Sequence, residues 1–214
     1  LERGKEVRER TKDTWGLWRK RVLTPESNVQ FGEGGAGTFS DGKLYSQIKD
    51  PRHLGRKVMN EFVKAGAPAD ILFEAHPHIG TFKLVKVVEN LREQIIALGG
   101  EIRFQQRVTD VLIEGAPDQR HIRGLTVLDQ STGQTHELHA DQVVLALGHS
   151  ARDTFAMLHA HGVYVEAKHY NHRIRVEQLP GPIDRSRRTS QDCDPVLQPA
   201  VYKLVYTRSN GGSG

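Results

Sequence analysis

The chain has 214 residues, a formal net charge of +4, 37% hydrophobic and 26% charged residues, and a single cysteine. At roughly 100–200 residues per domain, this allows one large domain or two small ones with a true core, and the composition excludes a disordered chain. Cys193 stands alone, which excludes an internal disulfide framework, a CxxC redox pair and a zinc ribbon, and fits a reducing compartment.

No stretch approaches the roughly 18 consecutive apolar residues that span a bilayer, and residues 1–25 are charged where a leader would be apolar. The expected setting is cytoplasmic, with no membrane partner. The 30 Lys and Arg are interspersed with 26 Asp and Glu, and only Arg185, Arg187 and Arg188 cluster tightly, so nucleic acid is disfavoured as a partner. Residues 1–4 read as the end of a strand whose body is absent, and residues 210–214 as a flexible tail, so the sequence is expected to be a fragment of a longer protein.

In chain order, residues 5–22 carry Val7, Trp15, Leu17, Trp18 and Val22 among many charges, an irregular amphipathic pattern that predicts a helix. Residues 30–43 are dense in glycine and free of branched aliphatics, which predicts a loop with unusual dihedrals or close ligand approach. Residues 55–66 place Val58, Met59, Phe62 and Val63 at helical spacing, with Gly66 and Pro68 as the stop. The strongest helical period runs over residues 81–98, with Thr81 as the expected cap and Gly99-Gly100 as the terminator.

The period then shortens. Residues 101–104, 108–114, 122–129 and 135–139 predict a β-meander. The run Val143-Val144-Leu145-Ala146-Leu147 predicts a strand buried on both faces, followed by the Gly148-His149-Ser150 turn and a helix over 151–161. Strand, glycine turn and helix in this order suggest a dinucleotide-binding sheet. Beyond Gly162 the expected strands are 163–165, 173–177 and 201–206, with an Arg-rich stretch between.

Several groups could carry chemistry. Glu2 sits where the acid ending the second strand of a dinucleotide-binding unit accepts ribose hydroxyls, or it is a terminal surface carboxylate. The loop over 32–42 could lay its N–H groups against a phosphate or a ring edge, or it is a plain connector. Lys43 is followed by Leu44, which leaves no hydroxyl for magnesium and argues against an ATP-binding P-loop. Ser150 could mark a cofactor-binding helix N-terminus or simply cap the helix. His149, at the end of the expected central strand, is either a ligand-site or a structural histidine. His76/His78 and His159/His161 are i,i+2 pairs that diverge by about 200° on a helix, so no metal site is predicted.

Residues 1–4, the loop Phe31 to Leu44 with its string GGAGTFSDGKL from Gly34, Pro77-His78-Ile79-Gly80-Thr81, Gly99-Gly100-Glu101 and residues 143–152 resemble, in order and spacing, an uncharacterised group of bacterial FAD-dependent dehydrogenases of the glutathione-reductase-like flavoprotein class. The resemblance runs from residue 1 to about 180, and GGAGTFSDGKL is its specific part. It implies a partial FAD/NAD(P)-binding Rossmann-like α/β domain over 1–150, with a helical insertion near 50–80, and a partial α+β substrate domain over 151–214. It also implies an oxidoreductase of unknown substrate, FAD as cofactor and NAD(P)H as a candidate electron donor.

By the same resemblance, Glu2 grips the adenosine ribose with Arg3 beside it. Gly34, Gly35, Ala36, Gly37, Thr38, Phe39, Ser40, Asp41 and Lys43 lie near the pyrophosphate and flavin. Val108 offers its backbone to adenine, and Gly148, His149 and Ser150 close the FAD domain, with Ala-Leu-Gly standing where Ala-Thr-Gly is usual. The first strand with its GxGxxG turn and the returning C-terminal segment are absent. The expectation is therefore weak or no FAD retention by these residues alone, with the rest of the parent chain as the missing partner. No catalytic residue is assigned, and Lys43 and His149 are candidates only for tuning the flavin. The rival readings are a basic module, residues 173–188, docking RNA or an acidic protein, and an inactive scaffold.

Overall fold

The computed structural model describes residues 1–44, 49–116 and 118–166. The chain divides into two compact units, Leu1–Val163 and Tyr164–Gly214. Of the second, only Tyr164, Val165 and Glu166 are described, and they form no strand. The expected strands over 173–177 and 201–206, the Arg-rich stretch and Cys193 lie outside the described residues.

The first unit is mixed α/β, with four α-helices and a three-stranded antiparallel sheet among the described residues. Helix α1, Val7–Lys20, buries Val7, Arg10 and Thr14, one residue per turn on one stripe. The sequence pattern had pointed to Trp15 and Trp18, yet both are about half exposed, because the face turned inward here is polar. Arg19 and Lys20 in the last turn suit the negative end of the helix dipole.

Helix α2, Leu54–Lys64, starts where the Asp50 carboxylate accepts hydrogen bonds from the Leu54 and Gly55 N–H groups at 3.0 and 2.6 Å. The Gly55 bond first, and the Leu54 bond second, hold the Asp50 carboxyl below its ordinary range. Helix α3, Thr81–Ala97, ends as its sequence predicts: Gly99, at φ 86°, donates to Ile96 and Gly100 to Ile95, both backbone bonds 2.9 Å long. Its start differs from expectation. Gly80 is the N-cap, and the Thr81 hydroxyl instead donates to the Ser40 carbonyl at 2.8 Å. Ala65, Ala67, Ile71, Ile79 and Val87 form the apolar core between α2 and α3. Arg8 of α1 reaches Glu89 of α3 at 2.8 Å.

Strands β1, Gln106–Glu114, β2, His121–Asp129, and β3, Thr135–His139, are the predicted meander, in the order β1-β2-β3. The register pairs Val111 with Leu125 and Leu125 with Leu138, and shifts at Val108/Asp110 and Leu112/Ile113 bend β1. Helix α4, Arg152–Ala160, packs on this sheet through Leu158, which joins Val111, Leu125 and Val127 in a second core. That packing places α4 within the first unit.

The largest departure from the sequence reading lies at residues 143–147. The run belongs to no ladder, and Val144 is 91% exposed rather than buried on both faces. Val143 and Leu147 touch the second core from its margin. Apolar composition calls for burial, but burial of a strand on both faces needs a neighbour on each edge, and none is present among the described residues. Residues 101–104 likewise make no ladder. Instead, residues 103–106 bond residues 1–4: the Glu2 N–H donates to the Arg103 carbonyl, Gln105 donates to Gly4 and Gln106 donates to Glu2.

Candidate functional site

The N-terminal segment and the glycine loop are joined through one carboxylate. Glu2 Oε1 accepts from the Gly4 N–H at 2.8 Å and from the Gly32 N–H at 2.9 Å. The approach requires glycine on both sides, since a Cβ on Gly4 would stand 2.5 Å from the Gly32 backbone. Glu2 Oε2 makes no hydrogen bond among the described residues, so half of the carboxylate remains an open acceptor at the edge of a cavity.

That cavity, of about 420 Å³, has an apolar floor from Val108, Val111, Leu125 and Met157. Its rim is polar, with Glu2, Gln30, His149 and Ser150. Of the residues expected to bind cofactor, Glu2, Arg3, Gly35, Ala36, Val108, Gly148, His149 and Ser150 all line it. They come from four separated stretches of sequence. Gly34, Gly37, Thr38, Phe39, Ser40, Asp41 and Lys43 do not line it.

Arg10, fully buried, explains how the loop is held. Its guanidinium donates to the carbonyls of Asn28, Val29, Glu33 and Gly35 and to the Thr38 hydroxyl. Burial pulls this guanidinium down to about 10 against the opposing pull of Glu2 and Glu33, so it is charged at neutral pH. The Glu33 carboxylate accepts from the Val7 N–H at 2.8 Å and from Arg92 at 3.1 Å, while burial raises its pKa. The N-terminus of α1 is thereby occupied by an internal anion.

The loop does not offer the open row of N–H groups that its glycines suggested. The N–H groups of Gly32, Glu33, Gly35, Ser40 and Gly42 all donate within the protein. Gly35, at φ 58° in the 3-10 turn Gly35–Phe39, has nothing within 4 Å of an added Cβ, so it is the position where backbone meets open space. Phe39 packs edge-on against Trp18. Asp41 and Lys43 lie 3.9 Å apart, and Lys43 bridges to His78, so the 77–81 segment and the end of the GGAGTFSDGKL string, residues 41–44, are structural neighbours away from the cavity.

Arg3 is a positioning residue. It bonds Glu26 at 2.7 Å and Asp153 at 3.1 Å and lies over the Phe31 ring at 4.2 Å. Burial alone would lower its pKa, but the bonds to Glu26 and Asp153 outweigh that and raise it. Arg107 meets the same two carboxylates. Ser150 does not cap α4, whose N-cap is Ala151. Its hydroxyl donates to Gln30 at 3.1 Å and lies 3.3 Å from His149 Nε2. Arg10, Glu26, Arg107 and Asp153 carried no signal in the sequence, because each acts through a partner 18 or more positions away; Gln30 and Phe31 were visible only as the start of the glycine loop. The site offers a carboxylate, close backbone and an apolar floor; among the described residues no acid and base are paired across it.

No family model matches the chain. Over 206 residues, 96% of its length, it is 39% identical to an uncharacterized protein of Clostridium beijerinckii. The match covers 36% of that protein, so the chain spans about a third of the length of this relative. No described helix is long and apolar enough to cross a membrane.

Proposed function

We propose that the chain is the adenosine-binding part of an FAD-dependent oxidoreductase with a Rossmann-like FAD/NAD(P)-binding domain. The single observation that carries this reading is the gathering of Glu2, Arg3, Gly35, Ala36, Val108 and residues 148–150 around one cavity. FAD, when bound, supplies the redox chemistry, and NAD(P)H is the proposed electron donor for a small-molecule substrate. The open Glu2 Oε2 fits a ribose hydroxyl donor, while Oε1 keeps the loop in place. Gly35, with no Cβ, admits the close approach that a side chain would obstruct. The apolar floor suits a flat ring. Internal bonding of the α1 N-terminus by Glu33 leaves that helix end closed to pyrophosphate, so FAD affinity of this chain is expected to be weak. The lone cysteine supports a cytoplasmic setting and a mechanism other than disulfide reduction.

Titration of FAD by flavin fluorescence tests the reading. The chain is expected to bind, and Glu2→Ala to lose about 1–3 kcal/mol of affinity, with Glu2→Gln intermediate because it keeps a neutral acceptor. Equal FAD affinity in a folded Glu2→Ala variant removes the ribose assignment. No quenching by the unsubstituted chain removes the reading for these residues.

A further inference from the structure

We infer that the C-terminal end of α1 is a docking surface for an anionic phospholipid membrane, which it meets at the headgroup level without crossing. Trp15 and Trp18 are the two tryptophans of the chain, and both are about half exposed. Their rings pack edge to face with centroids 5.2 Å apart, and Trp18 packs in the same way on Phe39 at 5.8 Å. The indoles are therefore braced in place while still open to solvent. Two aliphatic residues extend the patch. The Val22 N–H donates to the Gly16 carbonyl at 3.4 Å, which folds the chain back onto the helix end, and Val22 and Leu23 are 58% and 57% exposed. Four large apolar side chains within residues 15–23 thus stand in water, the mark of a surface that meets a partner.

Charge selects the partner. Arg19, Lys20 and Arg21 are exposed and make no ion pair among the described residues, whereas Arg8 and Lys12 of the same helix are paired with Glu89 and Glu9. Arg19 lies 4.6 Å over the Trp15 ring, so cations and indoles form one surface. A second copy of this chain would bring like charges face to face. A nucleic-acid base would find one face of Trp15 taken by Arg19 and nothing to bond at Val22 and Leu23. An anionic leaflet suits every part: its headgroups attract the three cations, and its interfacial zone accepts indole and aliphatic side chains. The expectation of no membrane partner rested on the want of a spanning stretch. No described helix spans, and that has no bearing on a contact made at the surface. Neither indole lines the 420 Å³ cavity, so the inference stands apart from FAD binding.

The test uses the 214-residue chain without cofactor and vesicles of phosphatidylcholine and phosphatidylglycerol in about a 2:1 ratio, with pure phosphatidylcholine beside them. Because Trp15 and Trp18 are the only tryptophans, intrinsic emission reports this patch alone. The anionic vesicles are expected to sediment the chain, shift its emission to the blue and quench it when their acyl chains are brominated. Binding should fall about tenfold or more on pure phosphatidylcholine, in about 1 M salt, and in the Arg19→Gln/Lys20→Gln chain, whose far-ultraviolet spectrum should be unchanged because both side chains are exposed. The inference is overturned if the anionic vesicles do not bind, if neutral vesicles or the double variant bind as well, or if binding leaves the indole emission unmoved. A chain that ignores vesicles but shifts its emission with soluble polyglutamate would make the partner an acidic protein. A chain that ignores vesicles and forms a dimer dissolved by Trp18→Ser would make it a second copy.

Discussion

The region around Arg10 and the run over 143–147 invert the usual rule of burial. A guanidinium sits fully inside with five acceptors, while five consecutive apolar residues lie largely in water. The difference is one of completed hydrogen bonding. Each of the three guanidinium nitrogens of Arg10 donates to a carbonyl or hydroxyl of residues 28–38, so the charge is solvated by the protein itself. The 143–147 backbone finds no such partners among the described residues, and apolar side chains alone do not draw an unpaired strand into a core.

The contrast is broken most severely by Arg10→Met. It leaves the carbonyls of Asn28, Val29, Glu33 and Gly35 without their donor, and the expected loss is about 3–5 kcal/mol, read as a lower urea midpoint at unchanged slope. Arg10→Lys should recover less than half, since an ammonium cannot span the same fork of acceptors. A midpoint unchanged in Arg10→Met would mean the loop is held by something else.

Next in size is the sheet core. Leu158→Ala should cost about 2–4 kcal/mol through the cavity it leaves against Val111, Leu125 and Val127. Thermal unfolding followed by circular dichroism checks this.

A smaller effect depends on pH. Arg3 holds the Asp153 carboxyl below its ordinary range, chiefly through their hydrogen bond. Its contribution is therefore present above the unfolded value of about 3.9 and is lost as pH falls through the folded value. Because Asp153 is part exposed, Asp153→Asn should cost no more than about 1 kcal/mol at pH 7, and the variant and parent should converge below about pH 3. A difference that persists at acid pH would assign the effect to packing.

The smallest expected change sharpens the comparison most directly. Val144→Ala should alter stability by less than about 0.5 kcal/mol in the free chain, against the several expected at Leu158. Equal losses at the two positions would place 143–147 in a core after all.

Helix α3 and the meander were legible in the sequence because their signals are local. Seven apolar residues at helical spacing with a Gly-Gly stop define α3, and β-branched runs between turns define β1 to β3. The helix α1 was located, but its inward face was not, since Arg10 reads as a surface residue until four loop carbonyls converge on it. Of the candidate site, Glu2 and residues 148–150 were visible through their positions at strand ends. Gly37, Ser40, Asp41 and Lys43 were grouped with them by sequence continuity. The chain turns away between Ala36 and Lys43 through a 3-10 turn and the bridge to His78, so neighbours in sequence part in space.

The sequence by itself determined most of the local elements, the glycine-dense loop over 30–43, and the demand of residues 143–147 for burial. Only the tertiary structure decided that Glu2 spends one oxygen on the loop and leaves the other open, and that Arg10 organises that loop. It also decided that residues 143–147 line a cavity opposite residues 1–4. The physical reason is the same in each case: periodicity reports which residues seek burial, whereas hydrogen-bond satisfaction depends on partners brought together across dozens of residues.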